Sequence, residues 1–174
     1  GVNNTLIGGL AGDALTDADA NVALGAFALG ADTLGSKSVA IGDSALATQN
    51  FTTATDSHNV AVGFSAGNDI TTGIQNVFIG ALAGDALTDA DFNTAVGYGA
   101  LSSDTLGNRN VAVGTNALAT QNFTTATNAY NTAVGESAGV SITTGAQNDL
   151  FGGLAGDALT DADYNVALGF ATLS

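Results

Sequence analysis

Ten times in 174 residues the chain writes an Asn or Ser, three mostly apolar residues and a Gly. The units begin at Asn4, Asn21, Ser38, Asn59, Asn76, Asn93, Asn110, Asn131, Asn148 and Asn165. They recur every 17 residues, and every 21 in two places, so that four units make a super-repeat of 72. The phrase LAGDALTDAD starts at residues 10, 82 and 154, and ATQNFTTAT at 47 and 119, the latter only in the 21-residue units. A unit this short cannot enclose a core of its own, so neighbouring units must bury each other's faces by stacking. The extra four residues predict one longer loop per four units, on one side. Residues 1–174 therefore read as a single repetitive domain, and because the pattern is already running at both ends, as a piece of a longer fibre.

Each motif alternates with period two, is rich in β-branched residues and stops at Gly after four positions, which predicts a short strand and a bend. Ala follows the Gly by three residues in nine units of ten, from Ala11 to Ala155, with Thr172 as the exception. This second segment predicts a second short strand, and phrases such as TTGIQ, TLGNR and TDADF a turn that closes the coil. The expected fold is all-β: a parallel β-solenoid, or β-roll, of about ten coils of 17 or 21 residues. With coils roughly 4.8 Å apart the rod is about 48 Å long. The recurrent Asn is expected to form a ladder, each side-chain amide bonding its equivalent one coil away.

In NVAVG the two β-branched residues share one face and the central Ala takes the other, because strand side chains alternate. Both faces are apolar, and strands apolar on both sides are covered on both sides. The second segment of the coil can cover one face. The other would leave a Val/Ile stripe along the whole rod, beyond the few hundred Å² usual for monomers, and requires identical chains around a common axis.

The units SVAIGDSALA (38–47), NVAVGFSAG (59–67) and NTAVGYGAL (93–101) resemble the head repeats of trimeric autotransporter adhesins, the YadA-like head, and similar repeats of phage tail fibres. The resemblance spans essentially the whole chain. It implies a left-handed β-roll, a homotrimer and a role in attachment. It also implies an extracellular location, on a virion tail fibre or a bacterial cell surface, with a cell-surface glycan or protein as receptor. The coils depart from the family's pattern, being 17 or 21 residues rather than about fourteen, so coil shape and receptor do not carry over.

Composition narrows the partners. A net charge of −14, with Lys37 and Arg109 as the only Lys or Arg, opposes nucleic acid and anionic membrane surfaces, which need clustered cations. Membrane insertion is not expected, since no stretch is long and apolar enough to span a bilayer. The absence of Cys excludes disulfides, thiolate catalysis and Cys-type zinc sites.

Three acidic clusters carry the candidate chemistry: Asp13, Asp17 and Asp19; Asp85, Asp89 and Asp91; Asp157, Asp161 and Asp163. With an Asn two residues on, the spacing imitates the start of a calcium loop, but the turn glycine and terminal Glu of an EF-hand are missing. Asp also favours turns by bonding local backbone, and TDADF occupies the coil-closing slot. Calcium is the only cofactor this leaves open. Catalysis by paired carboxylates is not expected, because a catalytic site departs from a repeat and these aspartates are the repeat. No catalytic residue is expected and the chain reads as a non-enzyme. The lone His58 stands just before the motif Asn, in a slot that elsewhere holds Lys37, Gln75, Phe92, Arg109, Tyr130, Gln147 and Tyr164, and is expected to be exposed. Phe92, Tyr130 and Tyr164 in that slot would present an aromatic edge suited to carbohydrate, with Phe51 and Phe123 added by the long coils. A continuous flat Thr face of the ice-binding kind is not expected, because Thr pairs occur in some coils and give way to TDAD or TLG in others. The alternative to a structural fibre is a ligand-binding module that holds carbohydrate or calcium at its outer edge.

Overall fold

The computed structural model describes all 174 residues and contains no helix. The ten motifs form ten parallel strands of one sheet, from Thr5–Ile7 to Val166–Leu168, each hydrogen-bonded to the next coil's strand in chain order. The chain is a β-solenoid with one strand of this sheet per coil. Register is strict: Val60 pairs with Val77, Ala61 with Phe78 and Val62 with Ile79, and the same offset holds at every junction. Bonding between coils continues past the strands, as where Leu29 N–H donates to Ala45 O at 3.0 Å.

The expected second strand is absent. The segment after each motif Gly is a run of turns, and the only further strands are two-residue pairs at the long coils: Gly35–Ser36 with Thr55–Asp56, and Gly107–Asn108 with Thr127–Asn128. The reason is conformational. The second and fourth residues after the motif Gly have positive φ, as at Phe27 (58°) and Leu29 (53°), so the backbone cannot extend there. Ala at the third position lies between these two bends and points into the core, where Ala28, Ala45, Ala66 and Ala100 are fully buried.

The motif Asn works as a two-way clamp. Asn93 Oδ1 accepts the N–H of Asn110 in the next coil at 2.9 Å, and its Nδ2 donates to Gly107 O, in the turn that closes its own coil, at 2.9 Å. The ladder is therefore mainly side chain to backbone. Direct amide-to-amide contacts occur at some junctions, such as Asn165 Nδ2 to Asn148 Oδ1 at 2.9 Å. It is broken only above Ser38, whose hydroxyl instead meets Ser57 Oγ at 2.5 Å.

The super-repeat is a packing repeat. Two interior positions, four and seven residues after the motif Gly, change together. Coils with Gly at the first, such as Gly67 and Gly84, carry Ile70 and Leu87 at the second, and a larger strand centre, Phe78, fills the space. A methyl at Gly84 would lie 2.5 Å from the Phe78 ring. Coils with Leu at the first position, Leu29 and Leu46 or Leu101 and Leu118, carry a buried Asp then Gln at the second. Asp104 Oδ1 accepts the N–H of Gly107 at 3.1 Å and of Phe123 at 2.9 Å, its Oδ2 accepts Gln121 Nε2 at 2.5 Å, and Gln121 Oε1 accepts Asn131 Nδ2 at 2.7 Å. Asp32, Gln49 and Phe51 repeat the arrangement. Such a buried polar pair is tolerable because its acceptors are occupied. The long coils are the ones that carry its Gln: their Thr52 to Ala54 and Thr124 to Ala126 swing out exposed, while Phe51 and Phe123 turn in.

Candidate functional site

No cleft or cavity opens on the chain, and no three His, Asp or Glu side chains converge to metal-binding distance. The candidates are surfaces. The largest is the outer face of the ten-stranded sheet. In each NVAVG strand the central residue is buried and its two neighbours half-exposed, as in Val60–Val62 and Val111–Val113. In-register stacking aligns these into two columns: one, from Ile7 to Leu168, is apolar in every coil, and the other is Val interrupted by Thr5, Thr94, Thr132 and Asp149. Exposed Phe64, Tyr98 and Phe170, one residue after the motif Gly, extend the apolar character beyond the strands. Large residues there alternate with small ones from Phe64 onward, and Phe170 leans over Gly153 of the preceding coil, where an added methyl would lie 3.4 Å from its ring.

The aspartates of each cluster fall at three different stations around the coil. Asp19, Asp91 and Asp163 clamp the preceding coil: Oδ1 accepts from Val2, Ile74 and Ala146 N–H at 2.6, 2.8 and 2.7 Å. Asp89 accepts Thr72 Oγ1 at 2.7 Å and Asp161 the hydroxyl of its neighbour Thr160 at 3.2 Å, while Asp17 is exposed. Asp85 and Asp157 each bury Oδ1 without a partner, and the equivalent Asp13, in the first coil, is exposed. The structure thus uses the third Asp of each cluster as a turn clamp and does not gather the clusters' carboxylates.

Burial pushes the Asp85 carboxyl above its ordinary range, opposed by a bond to its own backbone N–H and reinforced by the charge of Asp69. Asp91 is also raised by burial, which outweighs the Ile74 N–H bond; Asp89 adds to the rise and Arg109 opposes it. A raised native pKa means that the folded chain holds its proton to higher pH than the unfolded chain does. Stability is then lost as pH climbs from the ordinary Asp value, about 3.9, through the raised one, and the full penalty stands at neutrality. Asp85→Ala, the residue found at the equivalent positions 47 and 119, is expected to raise the melting temperature near pH 7. The gain should vanish at about pH 3, as paired thermal melts of parent and variant would show.

The slot before the motif Asn is exposed at His58, Lys37, Gln75, Phe92, Arg109, Tyr130, Gln147 and Tyr164, and the backbone there is left-handed in every coil. Phe92, Tyr130 and Tyr164 are 38%, 48% and 76% exposed. The guanidinium of Arg109 lies over the Phe92 ring at 4.5 Å and 5.9 Å from the Tyr130 centroid, so three successive coils stack cation on ring. Phe51 and Phe123 do not join this edge: they are buried, at 5% and 7% exposure, beside Asp32 and Asp104.

Threonine is more regular than its phrases suggest. Thr16, Thr33, Thr71, Thr88, Thr105, Thr143 and Thr160 all stand five residues before a motif Asn or Ser, with Asn50 and Asn122 filling the column in the long coils. Coil bonding keeps them aligned, and hydroxyls such as Thr16 and Thr88 donate to the next coil's carbonyl at 3.0 and 3.1 Å. The adjoining column is Asp17, Leu34, Phe51 and Thr72 in turn, so a single Thr row exists without the second that a flat face needs.

Comparison of the sequence with protein-family models finds no match, and searches of curated proteins and of solved structures find none either.

Proposed function

We propose that the chain is a segment of a non-enzymatic attachment fibre, in which three copies pack their sheet faces together around a common axis. The segment serves as shaft or head of a virion tail fibre or bacterial surface adhesin and mediates adhesion to a cell surface through a glycan or protein receptor. The observation that carries this reading is the apolar outer face, which runs through every coil of a narrow rod about 48 Å long. Burying such a stripe against sister copies removes it from water at about 25 cal/mol per Å², and no element of the chain itself covers it. Mass in solution by light scattering tests the proposal. A trimer whose mass is independent of concentration at micromolar protein and unchanged by EDTA is expected; a stable monomer overturns it. A melting temperature that falls on chelation would move weight to a calcium-dependent module.

A further inference from the structure

All three basic residues of this acidic chain, Lys37, His58 and Arg109, occupy the same column, the slot before the motif Asn or Ser, and that column holds no acid. Their φ angles are 64°, 53° and 63°. A left-handed backbone costs a residue with a Cβ on the order of 1–2 kcal/mol, and Gly or Asn would meet it more cheaply. Folding alone does not call for large functional side chains there. At 72-residue spacing the column also repeats its chemistry: an amide (Asn3, Gln75, Gln147), a ring (Phe92, Tyr164, with Ala20 the exception), a cation (Lys37, Arg109), a second ring (His58, Tyr130).

The first two cassettes differ in one respect that matters. Lys37 Nζ is 2.5 Å from Asp56 Oδ2, and this pair neutralises the first cation. The residue 72 on from Asp56 is Asn128, and Arg109 takes part in neither ion pair of the chain. Asp91 lies near enough to feel the charge of Arg109, but its Oδ1 accepts Ile74 N–H and it forms no ion pair with the guanidinium. The guanidinium sits against the Phe92 and Tyr130 rings, which offer no hydrogen-bond acceptor for its planar fork of N–H groups, and the chain supplies none to it elsewhere.

We propose that Gln75, Phe92, Arg109 and Tyr130 form a subsite for a carboxylate-bearing sugar, a sialic or uronic acid residue in an otherwise neutral glycan; this rests on the attachment reading and names its ligand class. The guanidinium grips the carboxylate through two parallel N–H bonds. Phe92 and Tyr130, two coils apart at about 9.6 Å on either side of Arg109, present exposed apolar edges to the sugar beyond the guanidinium, and the Gln75 amide serves its hydroxyls. The net charge of −14 repels polyanions such as sulfated or phosphorylated chains, so an isolated carboxylate is selected.

The test is isothermal titration of the intact chain, in the oligomeric state it adopts, with sialyllactose and a glucuronyl-galactose disaccharide, each carrying one carboxylate, and with lactose as the neutral control. At least one acidic sugar is expected to bind one site per chain, more weakly as salt rises, and lactose at least about tenfold more weakly. Arg109→Gln should lose about tenfold or more with an unchanged melting curve, and Arg109→Lys should recover part of it. The triple variant Ala20→Phe, Lys37→Arg, Asp56→Asn should raise the stoichiometry from one site to two. Equal binding of lactose, binding that survives Arg109→Gln, or no titration by either acidic sugar overturns the proposal. If the same preparation is still a trimer that coats cells, only the ligand class has failed; a monomer that coats none sinks the attachment reading as well.

Discussion

Gly97→Ala is expected to break the rod near its middle. Gly97 has φ +133°, a region open only to glycine, and a methyl added there would lie 2.6 Å from the carbonyl carbon and oxygen of Gly114 in the next coil. Neither contact can relax by a rotamer change, since both partners are backbone. The same holds up the column, where Gly80 meets Gly97 at 2.5 Å and Gly114 meets Gly135 at 2.4 Å. Strain and clash together should cost on the order of 3–5 kcal/mol. Because each coil touches only its neighbours, the loss falls on a single junction, and the two halves should then melt as separate transitions. Gly9→Ala is the control: that glycine has no positive φ and nothing within 4 Å of the added methyl, so its melting curve should match the parent's. Differential scanning calorimetry of the three proteins would decide.

The second large effect is on association. Val96 and Val113 are cross-strand partners at the centre of the sheet and half-exposed. Replacing both by Glu sets two carboxylates on the outer face without touching the buried Ala95 and Ala112. The fold should survive, because Asp149 already occupies an outward strand position and is exposed there. In the proposed trimer the change would bury six uncompensated charges around one axis, at several kcal/mol each. Light scattering is expected to show a folded monomer where the parent is a trimer. A double variant that kept the trimer mass would place the interface elsewhere.

What was legible beforehand follows from what repeats and what compensates. Asn, the alternating triplet and Gly were readable because each does one job in every coil, and the half-exposed Val beside the buried Ala follows from strand alternation. The expected second strand does not form because the residues flanking the Ala three positions after Gly, such as Phe27 and Leu29, adopt left-handed φ values that nothing in a non-Gly residue announces. The Asp104 and Gln121 pair is hard to see in the sequence because polar residues in an apolar repeat look like turn residues, and only the position seven residues past each Gly shows Asp and Gln taking turns, two coils at a time, with Ile70 and Leu87. The Thr column was concealed by four extra residues in the long coils and by Asn50 and Asn122 standing in for Thr. The acidic clusters looked like one site in the linear sequence because close spacing along the chain does not become close spacing around a coil.

The interlock between Gly at one interior station and Ile or Leu at the next makes whole blocks of 72, not single turns, the interchangeable modules of the molecule. Deleting one coil would set Leu46 or Phe78 against a neighbour shaped for something else, whereas excising or duplicating a complete block restores the interior sequence of Gly with Ile or Leu and Leu with Asp or Gln at the splice. The rod can therefore be lengthened or shortened in steps of about 19 Å, and each step adds or removes one exposed Arg-type or Lys-type edge along with it. In the proposed attachment role, reach and grip would scale together, with no redesign of the interior.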